Sequence, residues 1–283
     1  MKTAINRSDS DNGIDGLFGY DASDVESNGK VEVLGSGNLA KVIGDFGNYL
    51  NLCSDISFTY QKQCDFLKNY SLILTPNEID QFLDASYKIH KDVTSLRFEI
   101  GYFTNQLIKE HYNLGNQDLT LNLPSNSYIT YLLYDFSAPQ NVLHSITING
   151  DLGKNFGQCM KHFDIKVNGN ITGTNALHSA IYVNLDVNGD IGGFGSRSVG
   201  LNARVKGNIH TDQNNVLHCA NSTLILNDIN KIENIFSHLK RWNCEHWYDS
   251  SIALESKDEP RFLPKNEKTI RLLLEKEDGT IRE

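Results

Sequence analysis

No Cys-x-x-Cys pair occurs in this sequence, no apolar run reaches the length of a bilayer span, and acidic residues outnumber basic ones by 35 to 26. The five cysteines, Cys53, Cys64, Cys159, Cys219 and Cys244, are odd in number and scattered, so neither a disulfide framework nor a zinc knuckle is expected. A formal charge of −9 and a pI near 5.5 argue against nucleic acid as a partner, because holding phosphates needs a concentrated surplus of Lys and Arg. The opening MKTAINRSDSDNGIDG has no apolar centre of a signal peptide, and without a spanning run no membrane partner is expected. A cytoplasmic protein is the default expectation. Residues 1–28, rich in Ser, Asp, Asn and Gly, are expected to be disordered.

What the chain does have is a repeat. ITINGDLGK from Ile146, IKVNGNITG from Ile165, LDVNGDIGG from Leu185 and ARVKGNIHT from Ala203 align with their glycines, Gly150, Gly169, Gly189 and Gly207, 19, 20 and 18 residues apart. Each unit alternates apolar and polar residues into the glycine, the period of a strand with one buried face. Ile146 and Ile148, Ile165 and Val167, Leu185 and Val187, and Ala203 and Val205 are expected to point inward. The glycine then supplies a corner at which positive φ is cheap, and Leu152, Ile171, Ile191 and Ile209 re-enter the core. A single such strand cannot bury its own apolar face, whereas coils stacked about 4.8 Å apart set Ile148, Val167, Val187 and Val205 on one another. LILNDIN from Leu224 reads as a degenerate last coil. The fold class expected is mainly β: a right-handed parallel β-helix with an inserted long α-helix and a C-terminal helical cap.

The stretch VEVLGSGNLAKVIGDFG, residues 31–47, admits two readings. Val42, Gly44, Asp45, Phe46 and Gly47 coincide with Val187, Gly189, Asp190, Ile191 and Gly192, which favours an early coil over 29–59; a helix from Gly37 would carry Gly44 and Gly47 at about 1 kcal/mol each. Alternatively, a strand running into Gly35, Gly37 and Ala40 opens a dinucleotide-binding unit of an NAD(P)-dependent oxidoreductase, with Asp55 placed for the ribose.

The segment TINGDLGKNFGQCMKHFDIKVNGNITG, from Thr147 to Gly173, resembles the GXGXG repeat domain at the C-terminus of the glutamate synthase large subunit. The same repeat occurs in one of the subunits of formylmethanofuran dehydrogenase. The resemblance rests on Gly150-Asp151, Gly153, Gly157, Met160-Lys161, Ile165, Val167 and Gly169, and extends more loosely to about Thr211. His162 and Phe163 stand where that family has two glycines after Met-Lys. The resemblance implies a right-handed β-helix that braces neighbouring catalytic domains and carries no catalytic residue itself.

Between the early segment and the later coils, 60–115 reads as a helical insertion. Thr75 caps, Pro76 suits the first helical position and Glu78 completes a capping box. Phe82, Ser86, Ile89, Val93, Leu96, Ile100, Phe103 and Leu107 then recur at heptad steps, so a single helix from Pro76 to about residue 111 would be about 50 Å long. This stripe either packs on the β-helix or on a shorter helix from Tyr60 to Asn69, or it joins a protein partner or a second copy through Ile89, Val93, Leu96, Ile100 and Phe103. Gly101 sits in its middle. After the β-helix of 116–230, Ile232, Ile235, Phe236, Leu239 and Trp242 give 231–249 one apolar face, as a capping helix needs. In the charged tail, 250–283, Ile270, Leu272 and Leu274 alternate before Asp278-Gly279, a strand entering a turn.

Chemistry is sparse. Leu143-His144-Ser145, Leu177-His178-Ser179 and Leu217-His218-Cys219 share a theme without metal-ligand spacing and read as surface or corner histidines. Cys244-Glu245-His246 with His238 lacks the second pair that would complete a zinc set. Asp45, Asp151 and Asp190 follow corner glycines, where a carboxylate accepts local N–H groups. No catalytic residue, cofactor or metal is expected, and the reading is a non-enzymatic scaffold or assembly subunit, alone or as an accessory subunit of a complex of the resembling kind.

Overall fold

The computed structural model describes residues 2–5, 31–34, 37–54, 65–90, 96–137, 143–195, 197–210, 219–220, 222–228, 230, 270–276 and 280–282. Alternating burial builds its main sheet from β3 (Asp118–Asn122), β4 (His144–Asn149), β5 (Lys161–Asn168), β6 (Ile181–Val187), β8 (Asn202–Val205) and β10 (Ser222–Leu226), to which β11 (Ile270–Glu275) adds a further strand. They pair in parallel in that order, with β12 (Ile281–Arg282) antiparallel on β11. The short strands β7 (Ser198–Val199) and β9 (Cys219–Ala220) continue a second wall beside β6. The result is a right-handed parallel β-solenoid.

The inward ladder is as expected. Register sets Leu121 on Ile148, Ile148 on Val167, Val167 on Val187, Val187 on Val205 and Val205 on Leu226, and these side chains are buried. The re-entry residues form their own column, Ile129, Leu152, Ile171, Ile191 and Ile209. Two details differ. LILNDIN is not the last coil, because β11 adds Leu272 and Leu274 against Leu224 and Leu226. Of the four corner glycines only Gly150 has positive φ, at 129°. The others are needed for close approach: a Cβ on Gly169, Gly189 or Gly207 would lie 2.2, 2.4 or 2.2 Å from the carbonyl oxygen of the preceding corner glycine.

Side-chain ladders bind the corners together. Asn149, Asn168 and Asn188 each donate Nδ2 to the amide oxygen of Asn122, Asn149 and Asn168, at 2.8, 2.7 and 2.6 Å, and Lys206 donates Nζ to Asn188. Beside them, Asp151 accepts the Asn170 N–H at 2.7 Å, Asn170 Oδ1 the Asp190 N–H at 2.8 Å, and Asp190 the Asn208 N–H at 2.6 Å. The corner acids thus bond to the next coil, not locally.

The early segment departs from the expected coil. β1 (Lys2–Ile5) and β2 (Val31–Leu34) form their own antiparallel sheet, and Gly37–Ser54 is helix α1. Leu39, Val42, Ile43, Phe46, Tyr49 and Leu50 are all buried on α1. At about 1.5 to 3 kcal/mol per buried side chain this far exceeds the cost of two helical glycines. A helical turn follows at 65–68 (α2), inside the expected short helix.

The expected single long helix is two: α3 (Pro76–His90) and α4 (Leu96–Asn113). In one continuous helix Phe82 and Phe103 would stand about 30 Å apart. Here their ring centroids are 5.4 Å apart, so both halves of the stripe are buried against each other. The Thr75–Glu78 capping box forms, with the Thr75 N–H on Glu78 at 2.9 Å and the Glu78 N–H on Thr75 Oγ1 at 3.3 Å.

These helices close the β3 end of the solenoid. Asp80 of α3 accepts both the N–H and the Nδ2 of Asn122, at 2.8 and 2.6 Å, which starts the asparagine ladder. From α4, Asn105 donates to Tyr131 O at 2.8 Å and accepts from Leu133 N at 2.5 Å, and the Tyr112 hydroxyl donates to Ser145 O at 2.7 Å. The expected capping helix over 231–249 lies outside the described residues. Among the described residues no helix is long and apolar enough to cross a membrane.

Candidate interaction surfaces

Ile100 and Phe103 of the expected partner seam face inward. Phe103 is fully buried, with Phe46, Tyr49, Tyr70 and Phe82 at centroid distances of 5.1, 5.6, 5.0 and 5.4 Å, and Ile100 is 1 % exposed. Ile89 is partly buried against the same core. Leu96 opens α4, and Val93 lies outside the described residues. Ile100 and Phe103 therefore pack on their own chain and offer a partner no surface. Phe82, Ser86, Ile100, Phe103 and Leu107 of the stripe line the inside of the helical lid, as an amphipathic period allows without any second chain.

The opposite face of α4 carries what the heptad reading passed over. Phe98 is 37 % exposed and sets its ring edge-on to Tyr131 at 5.4 Å; Tyr102 stacks on Tyr131 at 5.2 Å, and Tyr134 lies 5.5 Å from both tyrosines. Tyr128 adds a further ring, 39 % exposed. Phe98 and Tyr102 at i, i+4, and Tyr128, Tyr131 and Tyr134 at steps of three, were the signal in the sequence. The turn that presents Tyr131 is tied down by Asn105 on both sides.

A second surface is the outward face of the main sheet. It forms a groove of about 340 Å³ crossing β4, β5, β6, β8 and β10, lined by Ser145, Asp164, Lys166, Asp186, Asn202 and Arg204 among others. Arg204 makes a two-pronged contact with Glu275, its Nε donating to Oε2 at 2.7 Å. Asn184 donates to Asp164 at 2.6 Å.

The other chemical candidates are placed as follows. His144, read as a surface or corner residue, is 3 % exposed, packed edge-on to Tyr112 at 4.7 Å. His178 is half-buried beside a turn, and His218, Cys244, Glu245, His246 and His238 lie outside the described residues. Glu99 accepts the Tyr49 hydroxyl at 2.6 Å, and burial with that carboxylate alongside pushes the Tyr49 hydroxyl far above its ordinary range, so it stays a donor. No group of three or more metal-ligating side chains converges among the described residues. At the opening motif, Gly37 begins α1 and Ala40 lies within it, while Gly35 is outside the described residues. Among the described residues β2 pairs with β1 alone, antiparallel, and no parallel strand follows α1 in that sheet.

Burial, and then the charge of Arg197, lowers the His178 pKa from its ordinary 6.5. A base with a depressed folded pKa binds fewer protons folded than unfolded between the two values, so stability falls as pH drops through the window below 6.5. His178→Gln should flatten that dependence. The difference in urea midpoint between about pH 7.5 and about pH 5.5 should be smaller in the variant; an equal difference would exclude His178 as its source.

No family model, curated protein or solved structure matches the chain.

Proposed function

We propose that this chain is a non-catalytic β-solenoid scaffold that assembles with a protein partner through the aromatic surface of Phe98, Tyr102, Tyr128, Tyr131 and Tyr134. The observation that carries this reading is the clustering of Phe98, Tyr102, Tyr131 and Tyr134 at the junction between α4 and the first coil, with Tyr128 exposed on the same turn region. Large rings held in fixed rotamers lose little entropy on association and dominate interface energetics. A stacked solenoid suits bracing, since its inter-coil ladders resist shear along its length. The resemblance to the GXGXG domain supports the same role, with the chemistry on a partner chain in a complex of the glutamate synthase or formylmethanofuran dehydrogenase kind.

The test is affinity capture from the native organism with wild-type chain and a Phe98→Glu, Tyr128→Lys variant. Both positions are exposed, so the variant should melt within about 2 °C of wild type. A protein retained by the wild type and lost by the variant is expected. Identical retention by both would move the interface elsewhere, and substrate turnover by the purified chain alone would end the scaffold reading.

A further inference from the structure

We propose that the groove on the outward face of the sheet binds a linear, uncharged oligosaccharide laid along the solenoid axis, across the rungs from β4 to β10. This goes beyond the scaffold role and is independent of the aromatic surface. Within a parallel sheet the strand N–H and C=O groups are committed to the ladder, so only side chains can read a ligand on this face. Those side chains are hydroxyl, amide and carboxylate groups with Lys166 and Arg204 among them, a set that both donates to and accepts from ligand hydroxyls. Ser145, Asp164, Asn184 and Asn202 stand in direct cross-strand register, one per rung. The rung spacing of about 4.8 Å is close to the length one sugar ring adds to an extended glycan, so each ring would meet an equivalent polar group.

Charge selects against a polyanion. The groove sets Asp164 and Asp186 against Lys166 and Arg204, and Arg204 is already paired with Glu275, so three acids face two bases and an anionic chain is repelled while an uncharged one is not. In the floor, Asp186 Oδ1 is shielded from solvent and accepts no hydrogen bond, although Lys166 and Arg204 are its neighbours on adjacent rungs. A small side-chain shift would let a ligand hydroxyl donate to it, relieving an acceptor that is costly to leave unmade. On the same face, two residues before Asn184 on β6 and outside the groove lining, Tyr182 is 49 % exposed and stacked on His162 at 5.5 Å, and offers apolar surface to the C–H groups of a glycan that runs past the groove. A peptide is disfavoured because strand addition needs a free sheet edge, and this face has none.

The experiment is an array of linear uncharged hexasaccharides of glucose, mannose and xylose in α and β linkages, with a hexagalacturonate and a randomised decapeptide library as controls. Hits are followed by calorimetry on the full chain. Expected is retention of at least one uncharged hexasaccharide, with affinity unchanged between low and high salt and at least about tenfold weaker in Asn184→Ala, Asn202→Ala. Both positions are exposed and Asn184→Ala gives up one ladder contact, to Asp164, so that variant should stay folded and melt within a few degrees of wild type. No uncharged hexasaccharide retained, equal binding by the variant, or preference for hexagalacturonate or peptide would each overturn the proposal.

Discussion

Val187→Asp should abolish the solenoid. Val187 is fully buried and lies in register between Val167 and Val205, in a column that continues to Ile148 and Leu226. Every neighbour in that column is aliphatic, so a carboxylate there meets no donor and must be buried charged or neutralised by a raised pKa. Either route costs several kcal/mol, a large part of the roughly 5 to 15 kcal/mol that holds a domain folded. Because coils stack only on their neighbours, a broken rung also uncouples β8, β10 and β11 from the lid end. The control is the next residue, Asn188→Ala, which faces outward and gives up two ladder contacts, to Asn168 and Lys206. That change should cost about 1 kcal/mol and leave the far-ultraviolet circular dichroism spectrum intact. If Val187→Asp were soluble and melted with the parent, the inward phase of β6 would be wrong.

The coils were legible because two periods coincide in them. Alternation within a unit fixes which side chains face inward, and the steps of 18 to 20 residues between corner glycines fix which ones stack. The role of the glycines was misjudged at Gly169, Gly189 and Gly207 because a close approach between successive coils leaves no mark within a single unit. For the same reason the Asp151–Asn170–Asp190–Asn208 ladder looked like local turn chemistry. At α1 a short match to the coil motif outweighed helical spacing that was present in Leu39, Val42, Ile43, Phe46 and Tyr49. The lid stripe was found, but a heptad pattern alone does not say whether its complement is another chain or the same chain folded back. What sequence order could not show is the outward face, where Ser145, Asp164, Asn184 and Asn202, far apart along the chain, become neighbours only once the register is set.

Gly101→Ala should destabilise the protein, although it replaces a mid-helix glycine with the best helix former. In an unconstrained helix that substitution gains about 1 kcal/mol. At Gly101, however, a Cβ would lie 2.0 Å from Thr130 O, 3.2 Å from Thr130 C and 3.3 Å from Leu132 N. All three are backbone atoms of the first coil, so no side-chain rotation relieves the contact and α4 must move away. Withdrawal strains the two hydrogen bonds from Asn105, one turn further on, to Tyr131 and Leu133, and it loosens the packing of Phe103 at the centre of the lid. Loss of those contacts is worth a few kcal/mol, which exceeds the helix-propensity gain and sets the sign. Gly101→Val should push further and expose the β3 end of the solenoid, giving a chain that aggregates through its uncovered rung. Gly44 in α1 supplies the contrast, because nothing lies within 4 Å of a Cβ placed there. Gly44→Ala should therefore raise the melting temperature by up to a few degrees while Gly101→Ala lowers it by more. Thermal melts of the two single variants beside wild type decide the matter, and a Gly101→Ala protein at least as stable as the parent would show that α4 does not sit on the first coil at this point.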